Sequence, residues 1–167
     1  MTDELLLQLK YLRLQTTMST WDEIIDDADK KKPSYTRFLK DLISKEYEVK
    51  RERSRLQRLK SAGPPHLYVM ETYPFDRQPK VNKRQCLEIY DSKSYLLKNE
   101  NIALIGPTGT GKTGLAVSYL VHAINEGYRG RFVLFADLVD ELYQAVADHS
   151  EKKVIKRYLT YECLVID

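Results

Sequence analysis

The chain has 167 residues, 43% of them apolar and 31% charged, and a formal net charge of +3. That length and apolar content allow one packed domain, or one with an added helical segment, and exclude a disordered chain. The longest apolar runs, such as Phe132 to Ala136, fall far short of the ~20 residues that span a bilayer, and the start, MTDELLLQLK, is acidic where a signal peptide is basic. A cytoplasmic protein with no membrane partner is the expectation.

Residues 1–62 read as a helical N-terminal segment. Leu5, Leu9 and Leu12 recur at helical spacing, Trp21, Ile24 and Ile25 follow, and an acidic, lysine-rich connection closes at Pro33. Ser34 can cap a second, longer helix that buries Phe38, Leu39, Leu42 and Ile43 on one face. Beyond Tyr47 arginine takes over, in KRERSRLQRLKSAGPP, until Gly63, Pro64 and Pro65 end the helix. The charge excess sits here: residues 1–44 carry seven Lys/Arg and eight Asp/Glu, residues 45–60 carry seven and three, and the remainder thirteen and thirteen. Lys50, Arg51, Arg53, Arg55, Arg58 and Lys60, offset only by Glu52, read either as a solvated helix face or as a surface that gains by neutralising phosphates.

Residues 63–81 read as a linker with aromatic anchors at Tyr73 and Phe75. From Asn82 the pattern gives a helix to about Leu97, a strand Ile102 to Ile105, a helix Lys112 to Glu126 and a strand Arg131 to Phe135. A helix Leu138 to Ala147, a short helix near Lys152 to Tyr158 and a strand Cys163 to Ile166 follow. Strands alternating with helices of this length predict an α/β fold with a parallel sheet over residues 82–167. Cys86, Cys163, His66, His122 and His149 have no metal-type spacing and are read as ordinary core or surface residues.

Within IALIGPTGTGKTGLAV lies Gly106-Pro107-Thr108-Gly109-Thr110-Gly111-Lys112-Thr113, the phosphate-binding loop pattern between an expected strand and an expected helix. Gly106, Gly109 and Gly111 let the backbone take left-handed conformations, so that successive N–H groups wrap a phosphate at a helix N-terminus. Lys112 is expected to reach the β- and γ-phosphates of ATP or GTP, and the Thr113 hydroxyl to coordinate Mg2+. The apolar strand CLVI delivers Asp167 to the sheet's edge, where a carboxylate holds the same ion or, more simply, caps a turn. An extra strand between the loop strand and the carboxylate strand suits ATPases better than GTPases.

The order and spacing of LKYLRL with Met18, SKEYEVKRERSRLQRLKSAGPP, the phosphate loop with its flanks, and YECLVID resemble the IstB-type transposition helper ATPases over essentially the whole chain. DnaC-type helicase loaders are close relatives of that family within the AAA+ superfamily. The resemblance implies ATP and Mg2+ as cofactors, a partial P-loop NTPase core of the AAA+/ASCE type over residues 82–167, and the Walker B aspartate at Asp167. It implies double-stranded DNA, contacted without sequence preference by the basic helix, and the transposase of the same insertion sequence as partners, with homo-oligomers when the protein is intact. It further implies a glutamate, sensor residues and an arginine finger after Asp167, so that the chain reads as the front portion of such a protein, with efficient hydrolysis not expected. Tyr73 and Phe75 are read either as part of an adenine pocket or as packing of the linker. The alternative reading is a loader or adaptor whose N-terminal segment grips a protein partner.

One structural expectation follows from the resemblance. In the AAA+ sheet the strand after Walker B lies between the loop strand and the Walker B strand, so Ile102–Ile105 and Cys163–Ile166 should lie apart with open edges. The chain should then be marginally stable or prone to associate.

Overall fold

A computed structural model describes all 167 residues. They divide into two compact units, Met1–Ser54 and Arg55–Asp167. The boundary falls inside a helix, earlier than the expected one near residue 62, because residues 55–81 pack with the second unit.

The first unit is helical, as expected. α1 (Asp3–Tyr11) starts at Thr2, whose hydroxyl accepts from the Leu5 N–H, and is followed by α2 (Gln15–Ser19) and α3 (Trp21–Lys31). α3 ends on Lys32 in the left-handed conformation, with Pro33 next, which cannot continue the ladder. α4 (Tyr35–Ala62) belongs to this unit up to Ser54. Glu46, only 5% exposed, ties α4 to α2 by accepting from both the N–H (2.9 Å) and the hydroxyl (3.2 Å) of Thr17. Phe38 and Leu42 are half-buried, but Leu39 and Ile43, expected on the same buried face, are exposed. Phe38, Leu42 and Glu46 form a line at four-residue spacing, and the neighbouring line through Leu39 and Ile43 lies about 100° further round the helix.

In the second unit the sheet is two parallel strands, β1 (Gly130–Val133) and β2 (Cys163–Ile166), in register from Gly130 with Cys163 to Val133 with Ile166. They are joined by α8 (Phe135–Ala147) and α9 (Glu151–Tyr158). The expected strand to Phe135 stops two residues early, since Leu134 remains extended and Phe135 already opens α8. The central element is α7 (Lys112–Asn125), buried along Gly114–Leu115 and Val117–Ile124. A helix apolar on all sides needs cover on all sides. One cover is Leu59 and Ala62 of α4 with Phe132 of β1, packed on Val117, Leu120, Val121 and Ile124. The other is Met70, Tyr73 and Phe75 together with Leu87 and Tyr90 of α5 (Lys83–Ser92) and Tyr95 of α6 (Ser94–Leu97), packed on Leu115, Tyr119 and Ala123. Residues 63–81, expected as a linker, therefore form part of this core, with two 3₁₀ turns at Met70–Thr72 and Phe75–Arg77. Gly130 is where β1 crosses α7 most closely: a Cβ there would stand 2.3 Å from Leu120 Cδ1.

Ile102–Ile105, expected as a strand, joins no ladder. Ile102 and Leu104 are half-buried while Ala103 and Ile105 are exposed, the alternation of a strand without a neighbour. A cavity of about 390 Å³ lies between this segment and β2, lined by Ile102, Leu104, Ala116, Tyr119 and Cys163–Asp167. The two segments form no hydrogen-bonded pair. Without a partner on that side, hydrogen bonding cannot define a strand at 102–105.

Candidate functional site

Local chemistry builds the loop before α7. Lys112 folds back so that its ammonium donates to the carbonyls of Gly106 (2.9 Å) and Pro107 (2.8 Å), and the Thr110 hydroxyl donates to Pro107 (2.8 Å). These bonds curl Gly106, Pro107, Thr108, Gly109 and Thr110 around the lysine. Gly109 and Gly111 take φ of +80° and +78°, whereas Gly106 does not adopt the left-handed region expected of it. At Gly111 a side chain is excluded twice, by φ and by the Tyr73 hydroxyl, which lies 2.8 Å from where a Cβ would stand. Gly111 is also the N-cap of α7 and makes no side-chain cap, so the first N–H groups of the helix face the loop. This is an anion cradle with a cation at its rim.

Thr113, one residue into α7, meets Asp167 at the end of β2. Its hydroxyl donates to the carboxylate at 2.9 and 3.1 Å, across 54 positions of sequence. The placement is secured at the strand end, where the Asp167 N–H donates to Val133 (3.1 Å) and the Asp167 carbonyl accepts from Phe135 N–H (2.8 Å). A hydroxyl and a carboxylate converging beside a phosphate cradle are hard oxygen donors of the kind that suit Mg2+, which keeps several waters and uses few protein ligands. The donor set fits both groups implied by the motif.

The basic residues of α4 are less uniform than their spacing implies. Within the first unit Lys50 lies 3.8 Å from Glu46, Arg53 donates to Gln15 (2.8 Å), and Arg51 is exposed. Within the second, Arg55 donates to Asn125 (3.2 Å), Arg58 is half-buried, and Lys60 is exposed. By helical spacing Lys50 and Arg53 share a face within the first unit, and Arg55 and Arg58 share one within the second.

Tyr73 reaches the loop itself: its hydroxyl donates to the Thr110 carbonyl at 3.3 Å, and its ring packs edge-on against Phe75 at 4.7 Å between centroids. Sequence reasoning flagged both aromatics but not this contact, because nothing in the spacing of positions 73 and 110 announces a hydrogen bond. No group of His, Cys, Asp or Glu is arranged to hold a metal by itself. The two cysteines are free, and burial pushes the Cys163 thiol up to about 11. His122 stacks on Tyr90 at 3.8 Å and lies 3.1 Å from the Tyr95 hydroxyl, and burial lowers its pKa. His122 is itself a buried residue of α7, and Cys86 and Cys163 are partly buried against its core. No helix is long and apolar enough to cross a membrane.

Comparison with known proteins adds to this geometry. A family model described as IstB-like ATP binding protein matches residues 7–167. An insertion sequence IS5376 ATP-binding protein of Geobacillus stearothermophilus is 31% identical over 156 residues, covering 93% of this chain and 62% of the relative. An IS21-like insertion sequence ATP-binding protein of Bacteroides fragilis is 31% identical, covering 93% of the chain and 78% of the relative. An IS232 ATP-binding protein of Bacillus thuringiensis is 29% identical over 164 residues, covering 98% and 65%. The chain thus spans between about 62% and 78% of the length of these relatives.

Proposed function

The chain belongs to the IstB-like ATP-binding protein family, and from that premise we propose that it binds ATP with Mg2+ at the loop Gly106–Thr113 and Asp167. The observation that carries the reading is the meeting of Thr113 and Asp167, 54 positions apart, at the mouth of a glycine-lined loop that opens a helix. Backbone N–H groups of Gly109, Gly111 and the first turn of α7 hold the phosphates. Lys112 exchanges the carbonyls of Gly106 and Pro107 for phosphate oxygens, replacing neutral acceptors with charged ones. Thr113 and Asp167 hold the metal end, which when bound neutralises triphosphate charge. The surrounding fold is then part of an AAA+ P-loop core.

In the relatives' names the ATP site accompanies an insertion sequence, and the proposed role here is to assist transposition of such an element. In that role the basic run of α4 contacts double-stranded DNA through phosphates; of its six cations, Lys50, Arg51, Arg53 and Lys60 are exposed. The element's transposase and further copies of the chain are the proposed protein partners. Nucleotide titration tests the site. The wild type should bind Mg2+·ATP, and Lys112→Ala should lose at least about tenfold in affinity, more than one charge-assisted contact to the phosphates. Equal affinities would reject the loop as the binding site.

A further inference from the structure

We infer that Tyr73 is a positioning residue of the phosphate loop, acting through the peptide that joins Thr110 to Gly111. The tyrosine hydroxyl donates to the Thr110 carbonyl oxygen across 37 positions of sequence. A trans peptide is planar, and its carbonyl oxygen and amide hydrogen point to opposite sides. Anchoring the oxygen on Tyr73 therefore aims the Gly111 N–H away from the tyrosine, into the loop. The same bond polarises the peptide and makes that N–H a stronger donor.

The loop needs such an anchor. Gly109 and Gly111, at φ +80° and +78°, flank Thr110, and glycine places no Cβ in the way of a peptide rotation. The Thr110 side chain points elsewhere, to Pro107. Tyr73 is well held for the task. Its N–H donates to Met70 (3.2 Å), Met70 is 3% exposed in the core beside Leu115 and Tyr119, and Phe75 backs its ring. Burial raises the pKa of the phenol, which keeps its proton available for donation. The fit is mutual, since the hydroxyl occupies the space that a Cβ at position 111 would need.

This inference rests on the proposed ATP site, and its test separates the two. ATP, ADP and inorganic pyrophosphate are titrated into wild type, Tyr73→Phe and Lys112→Ala, with a thermal melt of each protein without ligand. Tyr73→Phe keeps the ring and its packing, so it should keep a single cooperative melt within a few degrees of the wild type. It should weaken all three ligands by a common ~3–10-fold, the worth of one oriented hydrogen bond. Loss of ATP affinity with pyrophosphate unchanged would overturn the inference in favour of a contact to the base. Unchanged binding of every ligand to Tyr73→Phe, with binding lost in Lys112→Ala, would overturn it while leaving the ATP site standing. Unchanged binding in both variants would remove the site and the inference together.

Discussion

Gly130→Ala tests how α7 and the strand pair hold Thr113 against Asp167. The added methyl would lie 2.3 Å from Leu120 Cδ1, 3.4 Å from Ile124 Cγ1 and 3.5 Å from the Cys163 carbonyl. Carbon atoms rest at ~3.5–4.0 Å, so Leu120 must retreat by more than about 1 Å. It is fully buried and has nowhere to go. Overpacking of this kind costs ~1–3 kcal/mol, and Leu120→Ala by itself should cost ~2–5 kcal/mol through the cavity it leaves. In the double variant the methyl at 130 enters the space that the leucine vacates. The two costs should then fall short of their sum by ~1–3 kcal/mol, as expected for residues in direct contact. Urea unfolding followed by far-ultraviolet circular dichroism on the wild type, both single variants and the double variant measures this coupling. Additivity within ~0.5 kcal/mol would show that Gly130 and Leu120 do not meet.

Three further outcomes follow from particular groups. At pH 8 a thiol with a pKa of about 11 is ~0.1% thiolate, against roughly a quarter for a free cysteine, so iodoacetamide should alkylate Cys163 ~100-fold more slowly in the folded chain than in urea; equal rates would mean that β2 opens freely. Burial depresses the His122 pKa, so the folded state binds fewer protons than the unfolded one, and this contribution to stability is present above pH ~6.5 and lost as pH falls through the folded value. His122→Asn should therefore lose less stability than the wild type between pH 7.5 and pH 5, and an identical loss would place the titration elsewhere. Arg51→Glu should weaken duplex DNA binding alike for all sequences and reduce the slope of log K against log salt by roughly 0.9 for one lost phosphate contact, whereas an unchanged slope would move the DNA surface off this residue.

Much of the site was legible because its chemistry is local. Gly106 to Thr113 is a contiguous motif, and the apolar run Cys163 to Ile166 announces a strand with a carboxylate at its end. The N-terminal helices were legible from periodicity. What periodicity does not carry is which neighbour an element finds. Ile102–Ile105 has strand composition but no ladder beside it, and Leu39 is as apolar as Leu42 yet faces solvent. Phe135 follows strand-like residues but begins α8, because the chain turns at Leu134 to let Asp167 pair with Val133 and Phe135. Arg53 and Arg55 look like free cations in a basic run, and only the folded chain reveals Gln15 and Asn125 as their partners. The Tyr73 contact with Thr110 belongs to the same class, a long-range hydrogen bond with no local signature.

The central claim is that the glycine loop and the Thr113–Asp167 pair form one ATP·Mg2+ site, and the metal dependence of ATP affinity tests it most directly. Isothermal titration of ATP, with excess Mg2+ and with EDTA, on the wild type, Thr113→Ala and Asp167→Asn gives the comparison. Wild-type affinity should rise with Mg2+, and both variants should bind as the wild type does in EDTA while losing most of the metal-dependent gain. A full Mg2+ enhancement in both variants would contradict the account, because the metal would then be held without the two residues that the fold brings together at 2.9 Å.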